Sequence, residues 1–406
     1  MKKPLQLAAL LCGCLVTSVA LAQAGDKGPG FRFGNGWNLG ASVSVGAFWE
    51  NNAHDSTEDK KSGAGWRVQP SLSLSKQLGS RSSFNTNLFY TMERGFDDED
   101  AQDSDSYGIS LGYTRKLSQR WGLSVSASYS HSENDEFYGV GWDAANPTLP
   151  RIDVDKTDNY QASAGLSYSG NKWNLSFGAT WSRTDRDESW GTQSDSYGLS
   201  IGAGYKLSRT LSANLSGSMS ISDPEDGDTS TSYSLMGGFT KTLSDRLSLT
   251  AMAGLSFQDY NGYEDDTSVD PSYTLSLSYK ASRRIALALS MHSTYESEYY
   301  NDGYYNARTT YVWSHNLTGS MTVQWSDKLY STLSVSGFYE EHVATVSGLG
   351  DRDRKYVQLA FNTSYRFNSY VSMYGSVSWK NDQYDYDSGD DSADDIRLDV
   401  GMTFTL

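Results

Sequence analysis

The sequence predicts an all-β fold: a transmembrane antiparallel up-and-down β-barrel of about 18 strands, with 16 to 18 in range. Three observations predict it. Bulky apolar and small polar residues alternate with period two along successive runs, so each run has one greasy and one polar face. Tight turns and long acidic loops join the runs alternately. No amphipathic helix pattern accompanies them, so nothing in the chain can cover the greasy faces, and lipid is the cover that remains.

The hairpin 232–257 carries the pattern most plainly. Tyr233, Leu235 and Phe239 share one phase before the turn Leu243-Ser-Asp-Arg246, and Leu247, Leu249, Leu255 and Phe257 share one phase after it. The other phase is Ser, Thr, Gly and Met. A mean hydropathy of −0.55 is what half-apolar strands produce. No run beyond the first 24 residues approaches the roughly 20 apolar residues of a spanning helix.

At the N-terminus, Lys2 and Lys3 precede an apolar run over 5–20, and Ala22-Gln-Ala24 is a small-x-small cleavage site. Residues 1–24 therefore read as a secretory signal peptide, with the mature chain starting at Gly25. A lipoprotein alternative uses Leu11-Cys-Gly-Cys14. Both cysteines lie in this segment, so cleavage after Ala24 leaves no disulfide, thiol nucleophile or thiolate metal site. Losing Lys2 and Lys3 takes the net charge from −16 to about −18, which argues against a nucleic-acid partner.

Residues 25–35 read as a short periplasmic segment and 36–406 as the barrel. Strand-like runs fall at 36–50, 65–77, 83–93, 106–116, 121–132, 158–169, 173–184, 196–207, 210–222, 231–241, 246–258, 272–281, 285–297, 308–325, 328–340, 355–367, 370–380 and 395–406. Eight short connections, such as Leu117-Ser-Gln-Arg120 and Ala281-Ser-Arg-Arg284, alternate with nine long acidic ones. Short turns belong in the periplasm and long loops outside, which also places both termini in the periplasm. Ser106-Tyr-Gly-Ile, Ser196-Tyr-Gly-Leu, Ser232-Tyr-Ser-Leu and Ser272-Tyr-Thr-Leu each open a returning strand.

In the last strand Ile396, Leu398, Val400, Met402, Phe404 and Leu406 fall in one phase. This resembles the C-terminal signal that outer-membrane barrels present to their insertion machinery, with Leu406 where Phe is commoner. Trp37, Trp121, Trp173 and Trp325 stand near turn ends, and Trp49, Trp181, Trp379, Tyr107, Tyr197, Tyr233 and Tyr273 near loop ends. Two aromatic girdles fit two membrane–water interfaces, with lipid and lipopolysaccharide as neighbours.

The polar phase is rich in Ser, Thr, Asn and Gly and nearly free of mid-strand charge, Arg366, Arg397 and Asp399 excepted. Such side chains are too small to fill a barrel this wide, so the expected lumen is a wet, nearly uncharged wall suited to saccharides. Phe48, Phe89, Tyr330, Phe338, Tyr356 and Tyr374 share the inward phase near the closure seam. They read either as a sugar-stacking track or as packing against an inward-folded loop or the 25–36 segment. The longest loop, 133–157, is less polar than the others and contains Tyr138, Trp142, Asn146 and Arg151. It reads either as a constriction folded into the lumen or as a surface flap.

Acidic loop runs offer weak cation sites, of which Asp223, Asp226 and Asp228 form the best fragment, without full calcium-loop spacing. The five histidines are scattered, and neither a Gly-x-Ser-x-Gly nor a His-Glu-x-x-His motif occurs, so no catalytic site and no cofactor are expected. His315 falls in the lipid phase, which suggests a local bulge.

The Ser-Tyr-x-Leu-Ser-Leu cadence, the Lys-Leu-Ser-x-Arg turns and Val68-Gln-Pro-Ser-Leu-Ser-Leu74 resemble the outer-membrane β-barrel porin families, including barrels associated with exopolysaccharide clusters. The resemblance covers most of the mature chain. It implies polysaccharide export across the outer membrane, with a separate periplasmic partner. A general diffusion porin for small solutes is one alternative, and a structural or surface-recognition barrel acting through its loops is another.

Overall fold

The alternating runs become nineteen strands in a computed structural model that describes residues 30–34, 36–51, 62–96, 103–138, 151–187, 193–225, 229–260, 267–300, 308–343, 352–386 and 389–406. The strands are β1 (Phe31–Phe33), β2 (Trp37–Glu50), β3 (Gly63–Leu78), β4 (Ser82–Gly95), β5 (Ser104–Lys116), β6 (Trp121–Tyr138) and β7 (Arg151–Ser169). They continue with β8 (Trp173–Arg186), β9 (Ser194–Lys206), β10 (Leu211–Pro224), β11 (Ser230–Ser244), β12 (Leu247–Tyr260) and β13 (Thr267–Lys280). The last are β14 (Ile285–Tyr300), β15 (Arg308–Gln324), β16 (Leu329–Val343), β17 (Arg352–Arg366), β18 (Val371–Tyr386) and β19 (Gly389–Thr405).

Each strand from β2 onward pairs antiparallel with the next, and β19 closes on β2 from Arg397↔Glu50 to Thr405↔Ser42. Eighteen strands thus form a closed wall without a free edge, which satisfies the backbone as a membrane requires. Each predicted run lies in one of these strands to within one residue at its ends. The extra strand β1 turns back on the start of β2 through Gly34 and Gly36, whose φ values of +53° and +87° suit glycine. It occupies the flank of β2 below the end of β19, where the Leu406 N–H bonds to the Ala41 carbonyl.

Two predicted loops are shorter than expected. The β6–β7 ladder runs on through Glu133↔Lys156 and Phe137↔Ile152 to Tyr138↔Arg151. The β18–β19 ladder continues to Tyr386↔Gly389. Hairpin pairing extends these polar segments beyond the point where the apolar phase ends.

Side-chain reach fixes which phase faces in. Arg397 on β19 contacts Glu93 on β4 although β2 and β3 lie between. Side chains three strands apart converge only on a concave surface, so the polar phase lines the lumen. The apolar phase lies outside, where Leu199 is 59% and Leu235 57% exposed. Ala41, Phe48, Tyr90 and Ala393 are the only buried hydrophobic residues among those described, so burial must come from lipid.

The wall splays at one seam. β13 and β14 pair only from Lys280↔Ala286 to Thr274↔His292, although both strands continue well beyond. Pro271 supplies no N–H there. The Ser293 hydroxyl enters the gap, accepting from the Tyr273 N–H at 2.9 Å and donating to the Pro271 carbonyl at 3.4 Å. No bulge disturbs β15 at His315, contrary to expectation. His315 instead stacks between Tyr273 and Tyr339 and shares a 2.9 Å hydrogen bond with the Tyr273 hydroxyl, in the outer girdle beside the splay.

Candidate functional site: the channel wall

The inward residues divide the wall into two faces. On β6 to β12 they are almost all Ser, Thr, Gly and Asn. Register places hydroxyls opposite one another, so they pair across strands: Ser126 with Ser163 at 2.6 Å and Ser218 with Ser234 at 2.7 Å. A paired hydroxyl keeps a lone pair for water, so this face is neutral and wettable.

The opposite face, β16 to β4 through the closure seam, is charged and aromatic. Arg397 approaches Glu93 at 3.1 Å, Asp399 at 3.4 Å and Glu50 at 3.6 Å. Arg67 bridges Glu93 and Asp399, the latter at 3.0 Å. Arg397 also lies 4.6 Å over the Phe48 ring. Further around, Arg354 makes a two-pronged contact with Asp382 at 3.0 and 2.7 Å and lies 5.0 Å over Phe338. Glu340 is within 3.9 Å of the same guanidinium.

This corrects the expectation of a nearly uncharged lumen, which holds for one face only. Arg67, Glu93, Glu50, Arg354, Glu340 and Asp382 were not predicted. In the sequence they lie toward strand ends, several beside other charges as in Glu93-Arg94 and Arg354-Lys355, and only barrel closure and register gather them.

The predicted aromatic track also separates. Phe48 is 7% exposed and lies against Gly65, while Phe89 lies against Gly108. The Tyr374 hydroxyl sits over Gly46 and Gly401. A glycine on the neighbouring strand leaves a hollow that the ring fills, so these three pack against the wall itself. Phe338 and Tyr356 stack on each other at 4.8 Å, and the Tyr356 hydroxyl donates to Gln358 at 2.9 Å. Tyr330, 49% exposed, and Arg366 stand at the turn end, away from this cluster.

Of the four constriction-loop residues, Tyr138 and Arg151 fall within the described structure. Tyr138 and Arg151 are the last partners of the β6–β7 ladder, which brings their backbones opposite one another. Trp142 and Asn146 lie outside the described residues. Of the cation-site candidates, Asp223 accepts a 2.7 Å hydrogen bond from Thr229, and Asp226 and Asp228 lie outside the described residues. Among the described residues no group of three or more His, Cys, Asp or Glu is arranged to hold a metal.

Aromatic girdles ring both ends of the outer face. Trp121 and Tyr168 pair at 5.0 Å and Trp173 and Tyr205 at 4.7 Å near the turns, while Tyr129 and Tyr160 pair at 5.0 Å near the loops. Residues 73–262, from within β3 to just past β12, match the family described as Gram-negative porin. The chain is an outer-membrane β-barrel, similar over that stretch to Gram-negative porins. Solved structures similar to this barrel include a mutant of the ferric enterobactin receptor of Pseudomonas aeruginosa, with 9% identity, 93% of this chain and 81% of that one covered, and a TM-score of 0.51. The siderophore receptor PiuA of Acinetobacter baumannii is similar at 9% identity, with 92% and 82% covered and a TM-score of 0.50. At such identity the likeness is one of fold. No curated protein matches the sequence.

Proposed function

We propose that this outer-membrane barrel is a channel for hydrophilic, hydroxyl-rich solutes, saccharides foremost. The observation that carries this reading is the two-faced wall. A neutral hydroxyl face lies across the lumen from the stacked Phe338–Tyr356 pair and its Arg354–Asp382 neighbour. Aromatic rings offer apolar faces to sugar rings, and the flanking polar groups exchange hydrogen bonds with hydroxyls. Polysaccharide export with a periplasmic partner is the special case implied by the sequence resemblance. The match to Gram-negative porins supports a second reading, general diffusion of small solutes.

Conductance of the refolded mature protein in a planar bilayer tests both. Stepwise openings blocked by a maltooligosaccharide, with block weakened roughly tenfold by Phe338→Ala, are expected for the saccharide channel. Openings indifferent to the oligosaccharide would leave general diffusion. No openings at all would sink both readings.

A further inference from the structure

The periplasmic turns repeat one motif that the channel does not use. Five of the eight open on an apolar residue, such as Leu117, Leu207 or Trp325, followed by Ser and, at the third or fourth place, a cation. The serine fixes the turn. Ser118 accepts the Arg120 and Trp121 N–H groups at 3.1 Å, Ser282 does the same for Arg284 and Ile285 at 3.1 Å, and Ser326 accepts Lys328 and Leu329 at 3.2 and 3.1 Å. Seven of the eight turns carry Lys or Arg, and only Asp245 and Asp327 oppose them. In a chain of net charge −16 this end is strongly basic.

The cations are also linked from turn to turn. Arg246 donates to the Ala281 carbonyl at 3.2 Å, Arg284 to the Trp325 carbonyl at 3.4 Å and Lys328 to the Phe367 carbonyl at 3.2 Å. Each acceptor opens the next turn. Arg120 reaches the Tyr168 hydroxyl at 3.3 Å in the girdle. The side chains therefore lie along the rim as a belt, held at the level of the aromatic girdle, with apolar turn residues on its lipid side: Leu207 is 58% and Trp325 58% exposed.

We infer that this belt is a binding surface for anionic glycerophospholipid of the inner leaflet, with headgroup phosphates on the cations and acyl chains against the apolar turn residues. A ring that runs around the circumference matches a lipid annulus, whereas a protein partner would call for a patch on one side. The position at the girdle sets the cations at headgroup depth, where each basic residue attracts anionic lipid.

The test reconstitutes the refolded mature protein in phosphatidylethanolamine vesicles doped with brominated phosphatidylglycerol, and compares its tryptophan quenching with that by brominated phosphatidylcholine. The expected result is severalfold enrichment of phosphatidylglycerol at the barrel, abolished in R120Q/R246Q/R284Q/K328Q and reduced by 1 M salt, which screens exposed charges beyond about 3 Å. Equal quenching by the two lipids would overturn the proposal. So would enrichment that survives both the salt and the four substitutions. Should the variant not fold, judged by heat-modifiability on a gel, the salt series on the unaltered protein decides. Retention of the protein on isolated peptidoglycan without phosphatidylglycerol enrichment would assign the belt to an acidic polymer instead and likewise overturn it.

Discussion

Arg397 on the last strand and Glu93 on the fourth meet at 3.1 Å across two intervening strands, and the contact spans the seam where the barrel closes. Both side chains are about three-quarters buried or more, and Arg397 also balances Asp399 and Glu50. Arg397→Gln would remove one of the two arginines that Glu93 and Asp399 share, together with the arginine contact of Glu50. We expect a loss of about 1–3 kcal/mol in unfolding free energy, measured by urea titration in lipid vesicles, because partly buried charges lose a partner but retain some water. Ion selectivity should move the same way: one positive charge removed from the wall raises the cation-to-anion permeability ratio read from reversal potentials. An unchanged reversal potential would place the network outside the ion path.

Adjacent glycines on β11 give an internal contrast. Gly238 faces the lumen, and a Cβ there would collide with the Ala251 carbonyl and the Met252 backbone. Gly254 on β12 is equally tight against the Leu235 carbonyl. The sheet bends sharply at this hairpin: Ser272 on β13 reaches the Met236 sulfur on β11 at 3.3 Å, over Gly254. Gly237 faces outward with nothing within 4 Å of its Cβ position. Gly254→Ala should therefore cost about 2 kcal/mol or more, since backbone cannot yield as a side chain does, whereas Gly237→Ala should be neutral or stabilising by up to about 1 kcal/mol. Equal effects in urea titrations would mean that the bend does not depend on glycine.

Phe48 and Phe338 share the inward phase, yet their environments predict opposite phenotypes. Phe48 is wedged against Gly65, so Phe48→Ala opens a hollow in the wall and should cost about 3–5 kcal/mol while leaving solute block intact. Phe338 is half of a stack beside Arg354, so Phe338→Ala should change oligosaccharide block more than stability. Measuring block and urea midpoint for both variants separates the roles, and the reverse pattern would exchange them.

These contrasts mark how far the sequence could be read. Period-two alternation located every barrel strand, because lipid on one side and water on the other constrain each residue independently of its neighbours. Register is a relation between strands, and the alternation leaves it open. Arg67 in Trp66-Arg-Val68 looks like an isolated charge until closure of β19 on β2 brings Asp399 within 3.0 Å of it. Phe48 looks like a lumen residue until the ladder sets Gly65 opposite it. The 133–157 loop looked long because its flanks lose the apolar phase above the membrane, although the hairpin ladder continues through them to Tyr138↔Arg151.

The splay between β13 and β14 yields the last prediction. The Tyr273 N–H points toward β14, since it bonds to Ser293, and the N–H groups of Val269 and Thr267 point the same way by the two-residue repeat. Pro271 lies between them without a donor, and no β14 backbone faces them in the ladder, which ends at Thr274↔His292. The equivalent amides on the β14–β15 ladder stay paired up to Tyr300↔Arg308. Hydrogen exchange in vesicles should therefore be at least about tenfold faster at Val269 than at β14 amides paired with β15, a difference equivalent to about one lost hydrogen bond. Pro271→Val restores the missing donor, so the ladder can close upward and slow exchange at Val269, provided the proline holds the strands apart. Persisting fast exchange in that variant would assign the splay to the Ser293 hydroxyl, and Ser293→Val, which removes both of its hydrogen bonds, would then be the change that closes the seam.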